Sequence, residues 1–93
     1  MRLIEQQMLA AVHNQEEFWK DNTVVSHNIW SNISVIRLHG NDIATYNHDT
    51  EVMTPNLKTL KEWPTNTTKS RLRALGVTLA TRKGVIFIDD VEV

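Results

Sequence analysis

The chain has 93 residues, 41% of them hydrophobic and 23% charged, with a formal net charge of −1 and no cysteine. That composition fits one soluble globular domain, residues 1–93, with a modest core, and it excludes disulfide staples and thiolate metal sites. No apolar run approaches the roughly 18 residues of a membrane span, and Met1-Arg2-Leu3-Ile4 meets Glu5, Gln6 and Gln7 where a signal peptide needs a continuous apolar stretch.

Ile4, Met8, Ala11, Val12 and Trp19 recur at three- and four-residue steps, which predicts an amphipathic helix over residues 2–20, stopped by Asp21-Asn22. Thr23-Val24-Val25-Ser26 is β-branched and reads as a short strand. Residues 27–32 read as a turn or irregular edge. In Ser34–His39 the alternation puts Val35, Arg37 and His39 on one face and Ser34, Ile36 and Leu38 on the other. Gly40-Asn41 turns the chain and Ile43-Ala44-Thr45-Tyr46 returns, a β-hairpin. Asn47-His48-Asp49 is a second turn before a third strand over Thr50–Met53.

Pro55-Asn56 breaks that pattern, and Leu57 and Leu60 belong either to a short helical turn or to an irregular connection that Trp63-Pro64 ends. Hydroxyl residues then lead into a helix over Thr67–Leu75, with Leu72 and Leu75 facing inward, Lys69 and Arg73 outward, and Gly76 at the residue past its C-cap. Val77–Thr81 and Val85–Ile88 form a closing hairpin around Arg82-Lys83-Gly84. The continuous apolar run Val85–Ile88 predicts a central strand covered on both faces. Asp89-Asp90 makes one more tight turn before Val91-Glu92-Val93. The expected order α-βββ-α-ββ is an α+β fold: an antiparallel sheet of about five strands packed against two helices.

Three segments carry a family resemblance: Leu3-Ile4-Glu5-Gln6-Gln7-Met8, the hairpin Arg37-Leu38-His39-Gly40-Asn41-Asp42-Ile43-Ala44, and the helix Thr67-Thr68-Lys69-Ser70-Arg71-Leu72. Together they resemble a group of small proteins of tailed bacteriophages, over most of residues 3–88. The resemblance implies a phage origin and action in the cytoplasm of an infected bacterium. It implies no catalytic activity, because none of the three segments is a catalytic fingerprint. Phage genes of this size often encode inhibitors of host enzymes or defence systems, or small nucleic-acid binders.

The residues themselves point away from chemistry. His13, His27, His39 and His48 show no helical metal-ligand spacing, so no metal or other cofactor is expected. Ser26, Ser31, Ser34 and Ser70 lie outside any nucleophile-elbow pattern. Glu16-Glu17 and Asp89-Asp90 are adjacent pairs whose side chains diverge, and Gly40, Gly76 and Gly84 are too scattered for a phosphate loop. No catalytic residue is assigned.

Charge points toward binding. Residues 1–55 carry Arg2, Lys20 and Arg37 against seven acids, a net of −4, whereas residues 56–93 carry seven cations against four acids, a net of +3. Between Lys58 and Lys83 the only acid is Glu62. The expected contact face is Lys69, Arg71, Arg73 and Trp63, with Arg82 and Lys83 adjoining. The favoured partner is a host bacterial protein, since tryptophan and arginine dominate interface hot spots; one or two of the three tryptophans are expected to fill the core, and an edge strand offers a route to a homodimer. The alternative is nucleic acid, with Lys58, Lys61, Lys69, Arg71, Arg73, Arg82 and Lys83 as a phosphate track, Trp63 and Trp30 as stacking platforms, and an anion at the Thr67-Thr68 helix start. A moderate pI of 6.4 weighs against a dedicated DNA binder. No membrane partner is expected.

Overall fold

The computed structural model describes residues 1–93. It is the expected α+β class with a helix-backed antiparallel sheet of five strands, but all five lie within residues 18–55; the closing hairpin, expected in that sheet, belongs to a second, three-stranded sheet, and a third helix adds to the two expected. The elements are α1 (Leu3–His13), β1 (Phe18–Lys20), β2 (Thr23–Asn28), β3 (Ile33–Leu38), β4 (Asn41–Asn47), β5 (Val52–Pro55), α2 (Leu57–Glu62), α3 (Asn66–Ala74), β6 (Leu79–Arg82), β7 (Val85–Ile88) and β8 (Val91–Glu92). No helix is long and apolar enough to cross a membrane.

The first helix is shorter than its periodicity predicts. Gln15 adopts a left-handed φ of 58°, and the Gln15 and Glu16 N–H groups donate back to Val12 O and Ala11 O, closing α1 as a Schellman motif. Phe18-Trp19-Lys20 then pairs antiparallel with Val25, Val24 and Thr23. Asp21 and Asn22 make the two-residue connection, both at positive φ (48° and 63°), as a hairpin turn matched to strand twist requires. His39-Gly40, Lys83-Gly84 and Asp89-Asp90 repeat this device. β5 runs as far as Pro55, although proline donates no ladder hydrogen bond, because β5 is an edge strand.

Register gives the large sheet its two faces. Val25, Ile36, Ala44 and Pro55 align across β2, β3, β4 and β5 on the face that α1, α2 and α3 cover. Met8, Val12, Ile36, Ile43, Leu60 and Leu72 are buried there and form the centre of the core. Trp19, Val24 and Arg37 align on the opposite face, which no helix covers. Antiparallel pairing also sorts the connections by end. The four-residue loops 29–32 and 48–51 share one end of the sheet, and the turns at Asp21-Asn22 and His39-Gly40 share the other.

Thr65 caps α3 by accepting the Thr68 N–H at its Oγ1 (3.1 Å). The helix closes with Gly76 at φ 96° and the Val77 N–H donating to Leu72 O, so two buried side chains meet across a second Schellman motif. The small sheet is ordered β6-β7-β8. Its central strand β7 is half-buried along its whole length, not covered on both faces: Ile86 and Ile88 lean on the core while Phe87 lies under the Arg82 guanidinium.

Candidate functional site

The expected basic face divides. Arg71 is 4% exposed and points inward, so it is corrected from a contact residue to a core one. The reason is visible in helical spacing: Arg71 is three residues from buried Thr68 and four from buried Leu75, which places it on the packed side of α3. Its Nη1 donates to Glu5 Oε2 (2.8 Å) and its Nε to Thr23 Oγ1 (3.2 Å). Ser70 Oγ donates to the same Glu5 oxygen at 2.6 Å, and the Arg2 N–H reaches Glu5 Oε1 at 3.4 Å. Burial raises the Glu5 pKa, but the hydrogen bonds from Ser70, Arg71 and Arg2 and the Arg71 charge outweigh it and hold the carboxyl below its ordinary value. This acid of the N-terminal half neutralises the central arginine of the supposed patch and ties α1 to α3 and β2.

The other basic residues are dispersed. Lys69 and Arg73 are neighbours on α3, and Arg73 Nε donates to Leu79 O (3.1 Å), which links that helix to β6. Arg82 stands three residues further along β6, about 10 Å away at strand rise, and its Nη2 donates to Asp90 Oδ1 (3.0 Å). Lys83 occupies the hairpin tip, and Lys58 and Lys61 are exposed on α2. The anion site expected at Thr67-Thr68 is filled by the helix's own cap, since Thr68 is buried and its N–H belongs to Thr65.

Three of the four histidines meet in space, although nothing in their spacing foretold it. The rings of His13, Tyr46, His48 and His27 pack edge to face in sequence, with centroids 5.6, 4.8 and 5.2 Å apart. His48 Nε2 lies 2.8 Å from Ser34 Oγ, and His27 Nε2 lies 2.9 Å from Asn32 Oδ1. Burial, then the neighbouring His27 and His13, lower the His48 pKa, with Asp49 opposing. No group of three histidine or acidic side chains has the arrangement of a metal site. The Ser34–His48 contact has the separation of a nucleophile and its base, but Ser34 is fully buried within the paired strand β3.

The largest departure from expectation concerns the tryptophans, none of which fills the core. Trp19 is 83% exposed on edge strand β1, Trp30 is 91% exposed in the loop 29–32, and Trp63 is 54% exposed at the C-cap of α2. Ile29, beside Trp30, is 72% exposed. Trp19 also borders a shallow cleft of about 320 Å³ with Glu17, Phe18, Val24, Val25 and Ser26. The core instead closes with aliphatic side chains and Met8, drawn from α1, α2, α3 and strands β2, β3, β4 and β6. A sequence signal for Trp30 exists: Asn28 and Asn32 bracket Ile29-Trp30-Ser31, a pattern of asparagines that bond nearby backbone and tolerate left-handed φ.

The sequence model of the Kyanoviridae Gp96 protein family matches residues 1–93, and the chain belongs to that bacteriophage protein family. No curated protein and no solved structure matches the chain.

Proposed function

We propose that this phage protein works by binding, without chemistry of its own, and that it engages a protein of the infected bacterium in the host cytoplasm as a host-takeover or anti-defence factor. The observation that carries this reading is the exposure of all three tryptophans. A buried indole contributes roughly 150–250 Å² of aromatic surface, the largest payload any side chain brings to a core; Trp19 and Trp30 forgo most of it and Trp63 about half. Indoles are also over-represented among residues that dominate protein interfaces. Ordinary core-building explains none of the three positions.

The nucleic-acid alternative loses its central cation to Glu5 and pairs another, Arg82, with Asp90. Lys58, Lys61, Lys69 and Lys83 are free of ion pairs but lie on three separate elements and turns, so they offer no continuous phosphate track. The test is affinity capture from host lysate, with and without nuclease, by the wild-type protein and by a Trp19→Ala/Trp30→Ala/Trp63→Ala variant. The reading expects at least one protein that survives nuclease and is lost with the variant. Capture that nuclease abolishes, and that falls steeply with salt, assigns the protein to nucleic acid instead.

A further inference from the structure

We propose that the Ile29-Trp30 tip is the anchor of the interface, and that the partner presents an apolar slot for the indole ringed by lysine or arginine. This rests on the protein-binding reading and names which of the three indoles carries it and what it docks into. The first observation is the tip itself, an adjacent apolar pair at 72% and 91% exposure, the most exposed large hydrophobic side chains on a connection between strands.

The second is that the tip is held in place. Asn28 Oδ1 accepts the N–H groups of Trp30 (2.9 Å) and Ser31 (3.2 Å), and Asn28 O accepts the Asn32 N–H (2.8 Å). Asn32, in left-handed conformation at φ 55°, ties the loop to its surroundings. Its Oδ1 accepts from Gln15 Nε2 (3.3 Å) and meets His27 Nε2, its Nδ2 donates to Asp49 Oδ1 (2.9 Å), and its carbonyl accepts the His48 N–H (3.0 Å). One asparagine therefore locks the Trp30 loop to the end of α1, to β2 and to the loop 48–51. A knob already fixed in shape loses little conformational entropy on docking, which favours affinity.

The third observation sets the partner's chemistry. Register puts Glu16 and Glu17, just before β1, at the same end of the sheet as loops 29–32 and 48–51, with Asp49 and Glu51 in the second of these. No lysine or arginine occurs in residues 3–19, 21–36 or 38–57. Lys20 and Arg37 sit at the opposite end, beside Thr23 and Asp42. The tip thus projects from an acidic rim, which repels nucleic acid and anionic lipid and complements a basic collar around an apolar slot.

The test replaces Trp30 with benzoylphenylalanine, irradiates the protein in host cells, and measures binding of the crosslinked protein after purification. The expected result is one host protein that binds wild type, loses about 30-fold or more in affinity to Trp30→Ala, and loses further affinity to Glu16→Lys/Glu51→Lys and to added salt. With Trp30 as the single fluorophore (Trp19→Phe/Trp63→Phe), its emission should shift to the blue in the complex. A crosslink only to a second copy of this chain, no crosslink, or a blue shift on phosphatidylglycerol vesicles overturns the inference. If affinity survives Trp30→Ala but is abolished by Trp19→Ala or Trp63→Ala, this inference falls and the protein-binding reading stands. If all three single variants bind as wild type, both fall.

Discussion

Glu5→Ala should be the most damaging single change to a polar residue in this protein. Glu5 and Arg71 are 3% and 4% exposed, and the carboxylate accepts from Arg71, Ser70 and the Arg2 backbone. Removing the acid leaves a buried guanidinium with Thr23 Oγ1 as its remaining partner. Breaking a buried pair in this way costs about 3–5 kcal/mol. A chain of this length is stable by only about 5–14 kcal/mol at 0.05–0.15 kcal/mol per residue, so the loss is a large share of the total. At about 4–8 °C per kcal/mol for a domain of this size, the melting temperature should fall by more than about 12 °C. Replacing both partners, Glu5→Leu with Arg71→Met, should recover most of that loss, because matched apolar side chains carry no stranded charge. The Arg37–Asp42 pair supplies an internal control: it is shorter, 2.7 Å against 2.8 Å, yet its side chains are 39% and 48% exposed. Arg37→Ala should therefore cost less than about 1 kcal/mol. Urea unfolding followed by far-ultraviolet circular dichroism measures all four proteins. A cost below about 1 kcal/mol for Glu5→Ala would refute the argument and return Arg71 to the solvated surface.

Other outcomes follow from the same geometry. The Glu5 carboxyl titrates below its ordinary value, so its contribution is present above about pH 4.5 and lost as pH falls through the folded-state pKa; Glu5→Gln should flatten that acid limb of stability. The His48 pKa is lowered, so its contribution is complete above about pH 6.5 and declines as pH drops toward the folded-state pKa, where His13 and His27 repel the new charge and Asp49 offsets it; His48→Gln should remove that part of the pH dependence. Trp19→Ala and Trp30→Ala should each change stability by less than about 1 kcal/mol, against about 3–5 for a tryptophan taken from a core. Asn22→Gly relieves a left-handed side-chain residue in the β1–β2 turn and should stabilise by about 1 kcal/mol, read from the urea midpoint.

Much of the fold was legible because short-range rules and tertiary packing agreed. Ser34, Ile36 and Leu38 share the buried face that their alternation assigns them, and Gly76 takes the position past the α3 C-cap. Where two local signals competed, the weaker-looking one prevailed. Trp19 continues the helical spacing of Met8 and Val12, yet Phe18-Trp19-Lys20, Asp21-Asn22 and Thr23-Val24-Val25 also spell a hairpin, and pairing with β2 won. The candidate site was legible only in kind. The three-in-five cluster of cations at Lys69, Arg71 and Arg73 is plain in the sequence, but its neutralisation depends on Glu5, 66 residues away, and no local pattern announces that contact. The meeting of His13, His27 and His48 has the same origin in long-range sheet register. Tryptophan content marks interaction potential, whereas which indoles face water depends on the tertiary packing, in which aliphatic side chains and Met8 occupy the core.

Three water-exposed indoles are the premise on which the functional account stands, and acrylamide quenching of tryptophan fluorescence in the free protein tests it. The account predicts that Trp19 and Trp30 quench at rates close to that of a small solvated indole, with unshifted emission, that the half-exposed Trp63 quenches more slowly but readily, and that Trp19→Phe and Trp30→Phe each remove a fully accessible component. Two or more shielded, blue-shifted tryptophans in the folded protein would contradict it and place those rings in the core.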